Sequence, residues 1–293
     1  VEESLQANNG SAAGALAVAQ QVIQSRPAGA NVAAEVGVAE APAAKRPAPA
    51  ARPFPEIQLD LERLESAGYL TPTMARTRLA DELRHVKRAL LKNVSREAGN
   101  QKVRTRFMVV TSALPGEGKT FCSINLAISI AMEVDTSVLL VDADVLRPAV
   151  LGRLGQQPRK GFLDVLTEPG LDLADVILKT NIPKLSLLPT GTLNNRSTEL
   201  LASAAMEDLL SQLTARYADR VVIFDAPPLL LTPSAVTLAS RAGQVVMVVE
   251  ASRTPRRTVA EAFAAIEQCP IVMSVLNKCT DPVSRQGYGY YYG

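Results

Sequence analysis

TSALPGEGKTF (111–121) decides how the rest of the chain is read. It follows FMVV (107–110), an apolar run suited to a buried strand, and it leads at once into FCSINLAISIAME (121–133), an amphipathic helical pattern. A strand that turns through glycines into a helix is a ready anion site. Gly116 and Gly118 let backbone N–H groups turn inward on a phosphate, and the helix that starts near Thr120 aims its positive end at the same place. The stretch matches the end of the pattern G-x-x-x-x-G-K-[ST], with Ala113 at the first glycine position. In that pattern Lys119 reaches the β and γ phosphates of a nucleotide and Thr120 ligates Mg²⁺. The bland alternative, a glycine-rich turn with a chance lysine, loses ground to the acidic strand ends downstream.

Further apolar runs alternate with helical patterns: SVLLV (137–141), LSLLP (185–189), VVIF (221–224), QVVMVV (244–249) and IVMSVL (271–276). Continuous apolar strands separated by helices predict an α/β fold, a mostly parallel sheet flanked by helices on both faces. In VVIFDAPP (221–228) the carboxylate of Asp225 emerges at the C-terminal end of a strand, the edge where open parallel sheets bind ligands. Such a carboxylate can hold the water shell of Mg²⁺; a helix cap or turn is its structural alternative. SVLLVDADVLRP (137–148) ends another strand in two carboxylates, Asp142 and Asp144. Beside Mg²⁺ and a γ-phosphate, one can hold metal while the other accepts a proton from an incoming hydroxyl. Arg147 can steady developing phosphate charge, and Asp144 can alternatively cap the next helix.

Composition narrows the classes. The formal charge of +2 offers no basic excess for nucleic acid as main partner. Cys122, Cys269 and Cys279 show no metal spacing and suggest a reduced, cytoplasmic setting. His85 is the single histidine, which excludes a histidine metal cluster. No apolar run approaches the roughly 18 residues of a membrane span. Residues 1 to 55 hold 17 alanines and six prolines, and APAAKRPAPAARPFP (41–55) reads as extended or disordered. LTPTMARTRLADELRHVKRALLKNV (70–94) is helical, with Met74, Leu79, Leu83, Val86, Leu90 and Leu91 on one face. Its other face is charged. Four of the six tyrosines, Tyr288, Tyr290, Tyr291 and Tyr292, stand in RQGYGYYYG (285–293), where no core can be built.

PGEGKT (115–120), DADVLRP (142–148), FDAPP (224–228) and the tyrosine-rich end together resemble the bacterial tyrosine kinases, or BY-kinases, of capsule and exopolysaccharide systems. LDLERLESAGYLTP (59–72), ELLAS (199–203) and YGYYYG (288–293) look most like the autokinases of exosortase-linked exopolysaccharide loci. The resemblance implies a P-loop NTPase sheet of MinD/ParA type that uses ATP and Mg²⁺. Carried over by position, Pro115, Gly116, Glu117, Gly118, Lys119, Thr120, Phe121 and Arg147 would bind nucleotide, and Thr120, Asp142, Asp144 and Asp225 the metal. Leu146 replaces the first Arg of the usual DADLRRP, so nothing is carried over from that Arg; nor at Ser234, near which many members have another Asp. The family's ring-forming E-x-x-R-x-x-R motif is matched by Asp81, Arg84 and Lys87. A ring would let each subunit offer its tail tyrosines to a neighbour's site, so Tyr288, Tyr290, Tyr291 and Tyr292 become phosphoacceptors. The resemblance also implies a Wzz-like membrane activator that sets polysaccharide chain length, a tyrosine phosphatase, and a peripheral place at the inner membrane. The expected parts are an arm (1–56), a helical oligomerisation segment (57–98), the kinase domain (99–283) and a flexible tail (284–293). Two readings compete. A ParA/MinD-like ATPase switch would carry a lysine where Leu114 stands. A non-catalytic ATP-binding regulator would not need all three carboxylates. NKCTD (277–281) misses the GTPase N-K-x-D by one residue, leaving Asn277 as a base contact or a turn residue.

Overall fold

The computed structural model describes residues 15–17, 54–96 and 104–279. Tyr288, Tyr290, Tyr291 and Tyr292, and most of the expected arm, lie outside the described residues. In chain order the elements are β1 (Ala15–Ala17), β2 (Glu56–Ile57), α1 (Leu61–Ser66), α2 (Arg78–Arg96), β3 (Phe107–Ser112), α3 (Lys119–Ala131) and β4 (Ser137–Asp142). There follow α4 (Val150–Arg153), α5 (Phe162–Thr167), α6 (Leu173–Val176), β5 (Leu178–Thr180), β6 (Leu185–Leu188), α7 (Ser197–Leu201) and α8 (Ala204–Arg216). The last are β7 (Arg220–Asp225), α9 (Pro233–Arg241), β8 (Gln244–Glu250), α10 (Arg256–Ala264) and β9 (Val272–Cys279).

Among the described residues the strands form one sheet in the order β1-β9-β8-β3-β7-β4-β6-β5-β2. The six runs read from the sequence are its parallel centre, β9-β8-β3-β7-β4-β6. Short β1 and β5 pair antiparallel at either side, and β2 runs parallel to β5. Ala15–Ala17, inside the expected arm, thus join the sheet on β9. The chain starts the parallel set in the middle with β3, works outward through β4 and β6, returns at β7, then crosses to β8 and β9. That reversal leaves a crevice at the C-terminal ends of β3, β4 and β7, the place where such sheets hold ligands.

One hydrophobic cluster fills each face. On one side Leu83, Val86, Leu90 and Val94 of α2 and Ile124, Ile128 and Ile130 of α3 cover Met108, Val110, Leu140 and Ile223. On the other, Phe162, Met206, Leu209, Leu213 and Leu238 cover Val109, Leu139, Phe224 and Met247. Side chains alternate across a strand, so Val109 and Val110 serve opposite cores and every residue of the run must be apolar. Every α3 residue except Phe121 is buried. The apolar face expected for α2 packs inward, and residues 57–94 share one cluster with α3 and the sheet. No described helix is long and apolar enough to cross a membrane.

Candidate functional site

The loop from β3 to α3 needs its glycines for backbone reasons. Gly116 has φ 87° and Gly118 φ 97°, left-handed values that side chains disfavour. Gly118 precedes Lys119, the first residue of α3, so the free N–H groups of that helix open onto the loop. Lys119 is 8% exposed, an expensive position for an ammonium at the positive end of a helix. Two strand ends hold it there: Nζ lies 2.6 Å from Asp144 Oδ2 and 3.8 Å from Asp225 Oδ1. Thr120 Oγ1 is 3.4 Å from the same amine.

The parallel β4–β7 ladder sets Asp142 opposite Asp225. Asp142 Oδ2 accepts the N–H groups of Ala149 and Val150, at 3.0 and 2.9 Å, and so caps α4; its Oδ1 is buried without a hydrogen-bond partner. Asp225 Oδ1 accepts from Ser123 Oγ at 3.0 Å, and its Oδ2 is likewise buried and unpartnered. Buried carboxylate oxygens are costly when unpaired. Burial first, then the charge of Asp225, pushes Asp142 up to about 7. Burial also raises Asp225, against the pull of Lys119 and hydrogen bonds from Thr120 and Ser123. Two such oxygens at neighbouring strand ends suit a divalent cation. No group of three or more His, Cys, Asp or Glu able to cage a metal occurs among the described residues. Mg²⁺ fits that condition, because it keeps most of its waters and takes one or two carboxylates plus phosphate oxygens.

Asp144 has a double role. Its Oδ2 faces Lys119, while Oδ1 accepts the N–H groups of Leu146 and Arg147 at 3.2 and 3.0 Å, closing the turn. The helix cap considered for Asp144 falls to Asp142 instead. Arg147 is exposed beside this turn. Pro115 is exposed on the loop, and the Phe121 ring packs against Tyr69, with centroids 5.2 Å apart and planes tilted by 42°. Glu117 is buried with its carboxylate on the β8 side: it accepts from Leu114 N at 2.7 Å and from the Thr254 hydroxyl. A negative charge is thereby kept out of a phosphate cradle. Leu114, Leu146, Leu193, Leu230 and Leu231 are exposed, and all follow C-terminal ends of β3, β4, β6 or β7.

The assembly residues behave differently. Asp81 and Arg84 pair with each other on the exposed face of α2. Lys87 departs from the expected surface role. It is 8% exposed, donates to the Ser129 carbonyl at 2.9 Å and meets Glu133 Oε1 at 2.7 Å. Its amine closes the C-terminal end of α3, where the helix dipole favours a cation. Sequence reading missed this contact because the spacing of a motif along a helix does not show which neighbour a long side chain meets. It also left open Asn277, whose amide donates to the Glu117 carbonyl at 2.9 Å.

Residues 105–270 match the model of the AAA domain family. A putative tyrosine-protein kinase EpsB of Ralstonia nicotianae is 30% identical over 248 residues, 82% of this chain and 32% of its own length. The chain thus spans about a third of that relative. The tyrosine-protein kinase CpsD of Streptococcus agalactiae is 31% identical over 190 residues, 64% of this chain and 81% of CpsD. The solved VpsO kinase domain superposes with a TM-score of 0.54 at 28% identity, covering 67% of this chain and 98% of that domain. With its phosphate loop, paired aspartates and parallel sheet, the chain belongs to the bacterial tyrosine-protein kinase family.

Proposed function

We propose that the protein is an ATP-dependent tyrosine autokinase that phosphorylates its own C-terminal tyrosines in trans and so regulates exopolysaccharide synthesis and export. One observation carries the reading: the paired Asp142 and Asp225 each keep a buried oxygen without a partner, next to the lysine of the phosphate loop. Mg²⁺ held there would neutralise charge on the transferring phosphate. Lys119 exchanges Asp144 for the incoming phosphate. That exchange frees Asp144 Oδ2, which then accepts the tyrosine proton as the phenolic oxygen attacks the γ-phosphorus. The bond from that phosphorus to the bridging oxygen breaks, and ADP leaves with the oxygen. Arg147, exposed at the mouth, steadies phosphate charge. The exposed leucines around the crevice offer apolar seats for tyrosine rings. Each added phosphate brings about −1.5 to −2 charge and repels both its neighbours and the acidic site, so the tail is released.

The family resemblance supports the wider setting: a homo-oligomeric ring, a chain-length-determinant activator in the membrane, and a phosphatase that resets the tail. Asp81 and Arg84 remain the assembly residues of this reading.

Mass spectrometry of the protein incubated with Mg²⁺–ATP tests the proposal. Phosphate on Tyr288, Tyr290, Tyr291 or Tyr292 is expected, with a strongly reduced level in dephosphorylated Lys119→Met and none in a chain cut before Tyr288. A Lys119→Met chain mixed with a tailless one should be phosphorylated if transfer is in trans. ATP turnover with no protein-bound phosphate, the activator's cytoplasmic segment supplied, would replace the kinase reading by an ATPase switch.

A further inference from the structure

The outer wall of the phosphate loop is built by the end of β9. Asn277, 3% exposed, donates its amide to the Glu117 carbonyl at 2.9 Å. Lys278 donates Nζ to the Gly116 carbonyl at 2.8 Å and pairs with Glu250 Oε2 at 3.0 Å. Lys278 holds a left-handed backbone, φ 59°, a conformation that costs free energy for a residue with a side chain and persists only where its surroundings enforce it. The fit is close: a Cβ on Gly118 would collide with Asn277 Nδ2.

A trans peptide points its carbonyl and the next N–H in opposite directions. Two consecutive carbonyls, those of Gly116 and Glu117, are drawn outward to β9. The N–H groups of Glu117 and Gly118 must therefore face the other way, into the loop. The Glu117 side chain adds a third tie, since it engages Leu114 N and Thr254 on the same outer side. We infer that Asn277 and Lys278 are positioning residues, which set the affinity for nucleotide phosphates by fixing these two peptide planes before the ligand arrives. Donors fixed in advance need no reorganisation when charge appears. The inference rests on the nucleotide-binding part of the kinase reading. It assigns Asn277 to the loop and not to the base, and it gives a lysine outside the P-loop motif a part in phosphate binding without contact to phosphate.

The test compares Asn277→Ala, Lys278→Met and Lys278→Arg in the full chain, using calorimetry for Mg²⁺–ADP and ligand-observed NMR for adenosine. Each of the first two variants should weaken ADP about tenfold, the ratio that goes with one lost charge-assisted or buried hydrogen bond. Adenosine, which has no phosphate, should bind as before, and Lys278→Arg should recover most of the affinity. In tail phosphorylation KM for ATP should rise more than kcat falls. Lys278 is half-exposed, so Lys278→Met keeps the test valid even where Asn277→Ala fails to fold. Unchanged ADP affinity in Lys278→Met would overturn the inference. So would an Asn277→Ala variant that loses adenosine, or its preference for ATP over GTP, in step with ADP, because Asn277 would then read the base. If the wild-type chain binds ADP tightly yet never phosphorylates its tail, the kinase reading fails while the positioning role stands.

Discussion

Two buried lysines stand at opposite ends of helix α3. Lys119 is its first residue, and Lys87 reaches its last turn from α2; each is 8% exposed. Their surroundings differ in sign. At the C-terminal end the helix dipole, the Ser129 carbonyl and Glu133 all favour an ammonium. At the N-terminal end the dipole opposes one, and Asp144 and Asp225 supply the negative charge that keeps Lys119 in place. Lys87 is therefore at rest, whereas Lys119, on the kinase reading proposed above, changes partners once a phosphate provides a better anion. Burial alone does not separate a structural lysine from a working one; the helix end does.

The comparison breaks most visibly at Lys119. Lys119→Met should lower tail phosphorylation by roughly 10²–10³-fold, the scale of removing one preorganised electrostatic contact, when initial rates are measured by phosphotyrosine mass spectrometry. A wild-type rate would show that Lys119 is structural like its counterpart. Lys87→Met should leave ADP affinity unchanged but destabilise the fold by about 1–2 kcal/mol, through loss of the carbonyl contact and the dipole term. Urea unfolding measures this. An unchanged midpoint together with an altered assembly mass in ultracentrifugation would return Lys87 to the subunit contact.

The carboxylate that faces Asp225 across the β4–β7 ladder gives a pH signature. Asp142 rises to about 7 from an ordinary 3.8, through burial and then Asp225. Between those values the folded chain holds a proton that the unfolded chain has released. Stability from this group is therefore fully present below the lower value and is lost as pH rises through the upper one. In EDTA, unfolding free energy should fall between about pH 4 and 7, and Asp142→Asn should flatten that slope. Equal slopes in the two proteins would refute it. The smallest effect belongs to the exposed pair on α2. Asp81→Asn should shift stability by no more than about 0.5 kcal/mol, whatever it does to assembly mass.

Much of this was legible in the residues. The six central strands are continuous apolar runs, a pattern imposed by two cores, and the phosphate loop and acidic strand ends keep a fixed spacing. What stayed hidden depends on contacts between distant segments. Strands of two or three residues, such as β2 and β5, carry too little periodicity to read. Phe121 fits the motif, yet its ring serves Tyr69. Glu117 reads as part of a phosphate loop, but its charge is turned to the outside by Thr254, far along the chain. Asn277 and Lys278 look like an imperfect base motif until β9 is placed beside the loop.

The register of β4 against β7 has a consequence for how the site comes into being. Adjacent strands lie about 4.8 Å apart, and that backbone spacing, not any choice of rotamer, sets the gap between the Asp142 and Asp225 main chains. A slip of one residue would send one carboxylate through the sheet into an oily layer. The bite of the cation site is thus a ruler mark on the sheet. With Mg²⁺ held as proposed above, a misaligned folding intermediate would have no grip on the ion, which would then act as an inspector that recognises only correctly threaded copies.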